Sequence, residues 1–253
     1  MMNLGLSLGI GSQCGSAAAF DPSSLFASSE QGAWYDPSDL ATMSQTSDGP
    51  LGNVAVGDPV GRIEDKSGNG NHATQATAAA RPILRQDGAL YYLETDGVDD
   101  WMPATGADLG ETWTHVGGWY ALADTNNRAF AISSSGDASP LLPRAGNWQG
   151  VNSVGGFTDY STRSGSAEVV TLEQASLAGL TTRFNGVSGT GMVPFDQTAD
   201  TQGLALFSST NTAGDREFYG RFYGGLWIAR ALTGAELAAS ETYVATQSGV
   251  TLP

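Results

Sequence analysis

The chain has 253 residues, of which 34 are glycine and only 15% are charged; Lys+Arg 11 against Asp+Glu 26 gives a formal net charge of −15. A chain of this length can bury a full core without disulfides, and its single cysteine, Cys14, has no partner within the chain. The acidic balance argues against a nucleic-acid partner, because the long-range field repels a phosphate backbone, and no stretch is long and apolar enough to be inserted in a membrane.

From the N-terminus, Leu4, Leu6, Leu8 and Ile10 alternate with Asn, Gly and Ser, the period-two pattern of a strand with one apolar face. No Lys or Arg precedes them, so the segment does not read as a secretory signal. Such a strand must pair with a sheet, its own or another chain's. Residues 1–33 therefore read as an extended docking arm and 34–253 as one domain. Two Asp-Pro-Ser turns follow, at Asp21-Pro22-Ser23 and Asp36-Pro37-Ser38.

Beyond Gly57 the chain alternates short apolar runs with Gly, Asn and Asp clusters. Strands are expected at Ala89–Leu93, Trp101–Met102, Trp113–Ala121, Ala129–Ser133, Glu168–Leu172, Thr181–Asn185, Gly203–Phe207 and Arg221–Ala229. The run from Trp113 to Ala121 carries bulk on both faces, as a central strand would. Thr233 and Glu236 form a capping box and Gly249 a stop signal, so a terminal helix of three to four turns is expected between them. Turns every dozen or so residues favour a sandwich over a parallel α/β sheet.

Three segments, in order, carry a resemblance: Asp65-Lys66-Ser67-Gly68-Asn69-Gly70-Asn71-His72, Asp96-Gly97-Val98-Asp99-Asp100, and Arg230-Ala231-Leu232-Thr233 leading into Glu236-Leu237. Together they resemble laminin-G-like domains of the concanavalin-A-like lectin/glucanase superfamily. The resemblance implies an all-β, concanavalin-A-like antiparallel β-sandwich (jelly roll) with a short C-terminal helix and the extended N-terminal arm. The lead-in from Leu25 to Leu40 resembles laminin-G-like proteins encoded among phage and prophage virion genes. That implies a structural or accessory virion protein of a tail, fibre or head surface. It would be assembled in the bacterial cytoplasm, dock to other virion proteins through the arm, form a homo-oligomer and adhere to a host-surface glycan. A carbohydrate-binding module outside any virion is the alternative.

Candidate sites are few. Asp96, Asp99 and Asp100 place three carboxylates within five residues and can either gather calcium or cap turn amides. No other cofactor is indicated. Asn147, Trp148, Gln149, Tyr160 and Arg163 lie in a Gly-rich stretch that suits a glycan or partner site, the competing reading being that the aromatics fill the core. No catalytic residues are expected. Glycosidases place two carboxylates across a groove, and no strand here carries acids in that spacing. His72 sits in a Gly/Asn loop, His115 lies mid-strand, and neither accompanies a nucleophile motif.

Overall fold

The computed structural model describes residues 19–104, 106–124, 127–132, 139–151, 156–176, 179–189, 203–208 and 216–253. Leu4, Leu6, Leu8, Ile10 and Cys14 lie outside them.

In chain order the strands are β1 (Gly32–Tyr35), β2 (Met43–Ser44), β3 (Arg62–Ile63), β4 (Ala73–Thr74), β5 (Ile83–Asp87), β6 (Leu90–Glu94), β7 (Met102–Ala104), β8 (Trp113–Ala121), β9 (Phe130–Ala131), β10 (Ser139–Arg144), β11 (Asn147–Val151), β12 (Phe157–Thr162), β13 (Glu168–Ser176), β14 (Gly179–Phe184), β15 (Val187–Ser188), β16 (Leu204–Leu206) and β17 (Gly220–Ile228). The helix α1 spans Gly234–Ser248. Among the described residues, a large sheet in the order β15-β14-β13-β8-β17-β6-β5, with β1 also on β17, faces a second sheet in the order β12-β11-β10-β9-β16-β7. A small sheet, β2-β3-β4, flanks them. All strand pairs within these sheets are antiparallel. The fold is thus the expected all-β concanavalin-A-like sandwich closed by a C-terminal helix.

The strand β8 organises the core. Its residues alternate in direction, so His115, Gly117 and Trp119 enter the space between the sheets while Val116 and Gly118 face the helix. Both faces are buried, because α1 lays Val244 and Ala245 over Val116 and Val169. On the inner face the Trp119 indole N–H donates to His115 Nε2 at 3.0 Å, passing over Gly117. A Cβ on Gly117 would lie 2.6 Å from both the His115 ring and Trp119 Nε1, so only glycine leaves room for this bond. Phe130 from the second sheet and Trp227 from β17 close on the imidazole at 4.5 and 4.4 Å between ring centres.

The helix follows the sequence signals closely. Thr233 Oγ1 accepts from the Glu236 amide, Glu236 Oε2 accepts from the Thr233 amide at 2.8 Å, and Gly249 at φ 69° ends the helix. Arg230 forks onto the same carboxylate at 2.8 and 3.0 Å and reaches Glu30 at 3.5 Å. Arg230 holds the Glu236 carboxyl down at about 2. The Arg-Ala-Leu-Thr-x-x-Glu segment is thus a clamp joining strand exit, helix start and N-terminal segment.

Two expectations need correction. The boundary at residue 33 falls inside β1, where Gly32 and Ala33 pair with Ile228 and Trp227. Leu25 and Phe26 pack with Trp34, Leu226, Ile228 and Leu232, so residues from Phe20 onward belong to the domain. A four-residue strand buried on both faces shows no alternation, and the apolar residues before it are hidden among Pro and Ser. The stretch from residue 145 to 163, expected as a Gly-rich loop, instead carries β11 and β12, with β10 leading into it. Its glycines suggested a loop, but the sheet accommodates them, with register shifts in both pairings.

Gly117→Ala is expected to cost about 3 kcal/mol or more, from overpacking plus a lost buried hydrogen bond. Urea denaturation of the variant checks it; a loss below 1 kcal/mol would mean the Trp119–His115 contact is dispensable.

Candidate functional site

Both histidines serve the fold. His115 is fully buried and donates from Nδ1 to the Leu226 carbonyl at 3.1 Å while Nε2 accepts from Trp119. Burial pulls its pKa down to about 3, so it stays neutral at physiological pH. His72 Nδ1 accepts the Asp65 amide at 3.1 Å. The buried Asp65 carboxylate accepts from the amides of Trp34, Ser67 and Asn71 at 2.8–3.0 Å. Asn71 and Asn69 reach back to the carbonyls of Gly32 and Glu30. The first motif is therefore a clasp that holds β1 in the large sheet.

Strand alternation scatters the residues expected to form a glycan site between 145 and 163. Trp148 is fully buried, stacks on Phe218 and donates to Glu168 Oε2 at 2.7 Å. Tyr160 is buried with its hydroxyl against Gly150. Neither can offer a face to a sugar, which corrects that expectation in favour of the core reading. Gln149 is buried and donates to Asp159, and Arg163 is turned to the Ala121 carbonyl at 3.1 Å and towards Asp124. Asn147 is half-buried at the start of β11. What this hairpin does expose is Phe157, with the Arg144 guanidinium 4.0 Å above its ring.

The Asp96–Asp100 loop is placed differently. Oxygens of Asp96, Asp99 and Asp100 come within 4.8 Å of one another. Asp100 Oδ2 accepts the Asp96 amide at 2.9 Å, and Asp96 Oδ1 accepts the Val98 amide at 2.8 Å. Burial pushes the Asp100 carboxyl up to about 7, a shift that the neighbouring Asp96 and Asp99 charges reinforce. Two of the three carboxylates thus already act as turn acceptors, which leaves few oxygens for an ion that prefers six to eight.

Beside this loop opens a cleft of about 350 Å³, bounded by Arg81, Arg85, Glu94, Asp96, Asp100 and Tyr219. Its walls are fixed by bonds to one another and to their surroundings. Arg81 donates to the carbonyls of Gln75 and Ala76 at 2.9 and 2.7 Å. Glu94 joins Arg85 on the edge strand to Arg221 on β17, each at 3.2 Å. The Thr95 hydroxyl bonds the Phe218 carbonyl at 2.6 Å and the Gly220 amide at 3.2 Å, bracketing Tyr219. A Cβ on Gly97, at φ 74°, would lie 2.6 Å from Tyr219 Cβ, so the turn glycine seats that ring. The sequence missed the cleft because its walls come from three segments, one of them more than a hundred residues away. Only the Asp96–Asp100 motif signalled it.

No family model matches the sequence, and no curated protein matches it. Solved structures do share the fold. The sialidase of Trypanosoma rangeli in complex with sialic acid superposes with a TM-score of 0.56 at 12% identity, over 78% of this chain and 33% of that one. Domain 4 of AbnA, a GH43 extracellular arabinanase from Geobacillus stearothermophilus, in complex with arabinotriose, gives 0.53 at 14% identity, over 83% of this chain and 98% of that domain. The chain thus spans a third of the sialidase but nearly the whole of the arabinanase domain. At these identities the likeness is one of fold.

Two measurements test these assignments. A thermal melt in excess chelator is expected to match one in excess calcium; a calcium-dependent rise in Tm would establish the aspartates as ligands. Because His115 refuses a proton that the unfolded chain takes up near pH 6.5, its stabilising contribution is complete above that pH and declines towards about pH 3. Replacing it in His115→Phe should remove up to about 1.4 kcal/mol per pH unit from the slope of stability in that window. An unchanged slope would show that the imidazole titrates normally in the folded state.

Proposed function

We propose that the protein is a non-enzymatic, laminin-G-type carbohydrate-binding module that mediates adhesion from the surface of a phage or phage-like particle. The observation that carries the carbohydrate reading is the preorganised cleft beside Tyr219, which combines an exposed aromatic ring with fixed hydrogen-bond donors and acceptors. Such a pairing suits a ligand that is apolar on its ring face and hydroxylated at its rim. The arabinotriose complex of the arabinanase domain supports this reading at the level of fold.

Non-catalytic action is supported by where the acids stand. Asp96, Asp99 and Asp100 lie side by side on one loop, their oxygens within 4.8 Å, and not across a groove from one another. Glu94 is engaged by two arginines. The virion setting rests on the resemblance of the lead-in segment alone. In that setting residues 1–18 would dock to other virion proteins, and a homo-oligomer would multiply weak single-site contacts.

A glycan array probed with the intact protein should show retention of at least one carbohydrate class and no release of reducing sugar. Absence of any binding at high protein concentration would sink the reading. Deleting residues 1–18 should leave a folded, sugar-binding domain that no longer enters particles; unchanged incorporation would remove the docking role of the arm.

A further inference from the structure

We infer that the cleft beside Tyr219 takes a single uncharged sugar ring, held directly through its hydroxyls and without a bridging metal ion. This rests on the carbohydrate-binding reading and assigns that site a ligand class. Three features argue for it.

The first is charge balance. Arg81 and Arg85 stand against Glu94, Asp96 and Asp100 around the same space. Glu94 is matched by its two arginines, and Asp100 is only partly ionised near neutrality because burial opposes its charge. The walls therefore offer charged donors and charged acceptors in nearly equal number. An anionic ligand would meet the aspartates and the overall charge of −15, and a cationic one would meet the guanidinium groups. A hydroxyl both donates and accepts, so a neutral polyol satisfies both kinds of wall at once.

The second is size and shape. A volume of about 350 Å³ sits near the lower end of the roughly 300–1,000 Å³ typical of small-molecule sites, so it accommodates one ring with its nearest waters and no extended chain. Tyr219, 37% exposed, presents the large aromatic surface against which the apolar face of a sugar can lie.

The third is preorganisation. Arg81 is fixed by two backbone carbonyls, Arg85 by Glu94, and Tyr219 by Gly97 and the Thr95 bonds on either side of it. Groups already held in place lose little freedom on binding, which small polar ligands require in order to bind measurably.

The test is saturation-transfer and titration NMR on the full chain with methyl glycosides of neutral pyranoses and furanoses, with glucuronic acid as the anionic probe. Neutral glycosides should bind, with the same affinity in chelator. Tyr219→Ala should weaken binding at least tenfold and Tyr219→Phe less than threefold. Phe157→Ala, on the exposed hairpin of the other sheet, should change nothing. If Tyr219→Ala does not fold, Arg85→Gln on the exposed edge strand reads the same cleft and should weaken binding at least fivefold. If the wild type binds sugars but only Phe157→Ala abolishes it, the cleft is the wrong place although the carbohydrate reading stands. Preference for glucuronic acid, or loss of binding in chelator, overturns the ligand class. A wild type that binds no glycan on the array overturns the carbohydrate reading itself.

Discussion

A neutral imidazole between two tryptophans sets how the sheets meet. His115 gives its Nδ1 proton to the Leu226 carbonyl and receives the Trp119 indole proton on Nε2, so one ring satisfies polar groups on two adjacent strands. It also stacks on Trp227 and touches Phe130 of the opposing sheet. Burying a polar ring is costly unless both nitrogens are bonded, and here both are. Gly117 is the geometric condition for the arrangement. The aromatic set around it, including Phe207, Phe218 and Phe222, packs against Trp119.

The outer face adds charge-assisted bonds to its apolar packing. Glu241, on the buried side of α1, accepts from Thr171 at 2.8 Å and from Arg183 at 2.8 and 3.2 Å, so the helix is tied to β13 and β14. Tyr243 reaches Asp36 at 2.9 Å, which links the same helix to the segment following β1. Charge-assisted bonds of this kind fix position and orientation together, which a purely apolar seam would not do. Most of the few basic residues of this acidic chain stand in such pairs, among them Lys66, Arg183, Arg221 and Arg230.

Much of the fold was legible in the sequence wherever a local rule acts alone. The capping box at Thr233 and Glu236, the stop at Gly249 and the two-faced strand from Trp113 to Ala121 depend on near neighbours only, and each stands where its pattern puts it. Legibility failed where partners are distant. Trp148 stayed open between a surface site and the core because nothing near it in sequence reveals the Glu168 acceptor or the Phe218 ring. The cleft was legible only in its aspartates, since Arg81, Glu94 and Tyr219 meet through β5, β6 and the approach to β17. The motifs that carried the resemblance include a clasp and a clamp, which explains why they point to a fold more readily than to a ligand.

The placement of β1 has a mechanical consequence. This strand shares one edge of β17 with β6, pairing over Gly225–Ile228 while β6 pairs over Arg221 and Phe222. It therefore enters the large sheet against β17, whose other edge is taken by β8. Tension arriving through residue 19 would be delivered to the middle of the sheet, past the Asp65 clasp and the Arg230 clamp. The pull would have to draw β1 off β17, a strand buried along nearly its whole length.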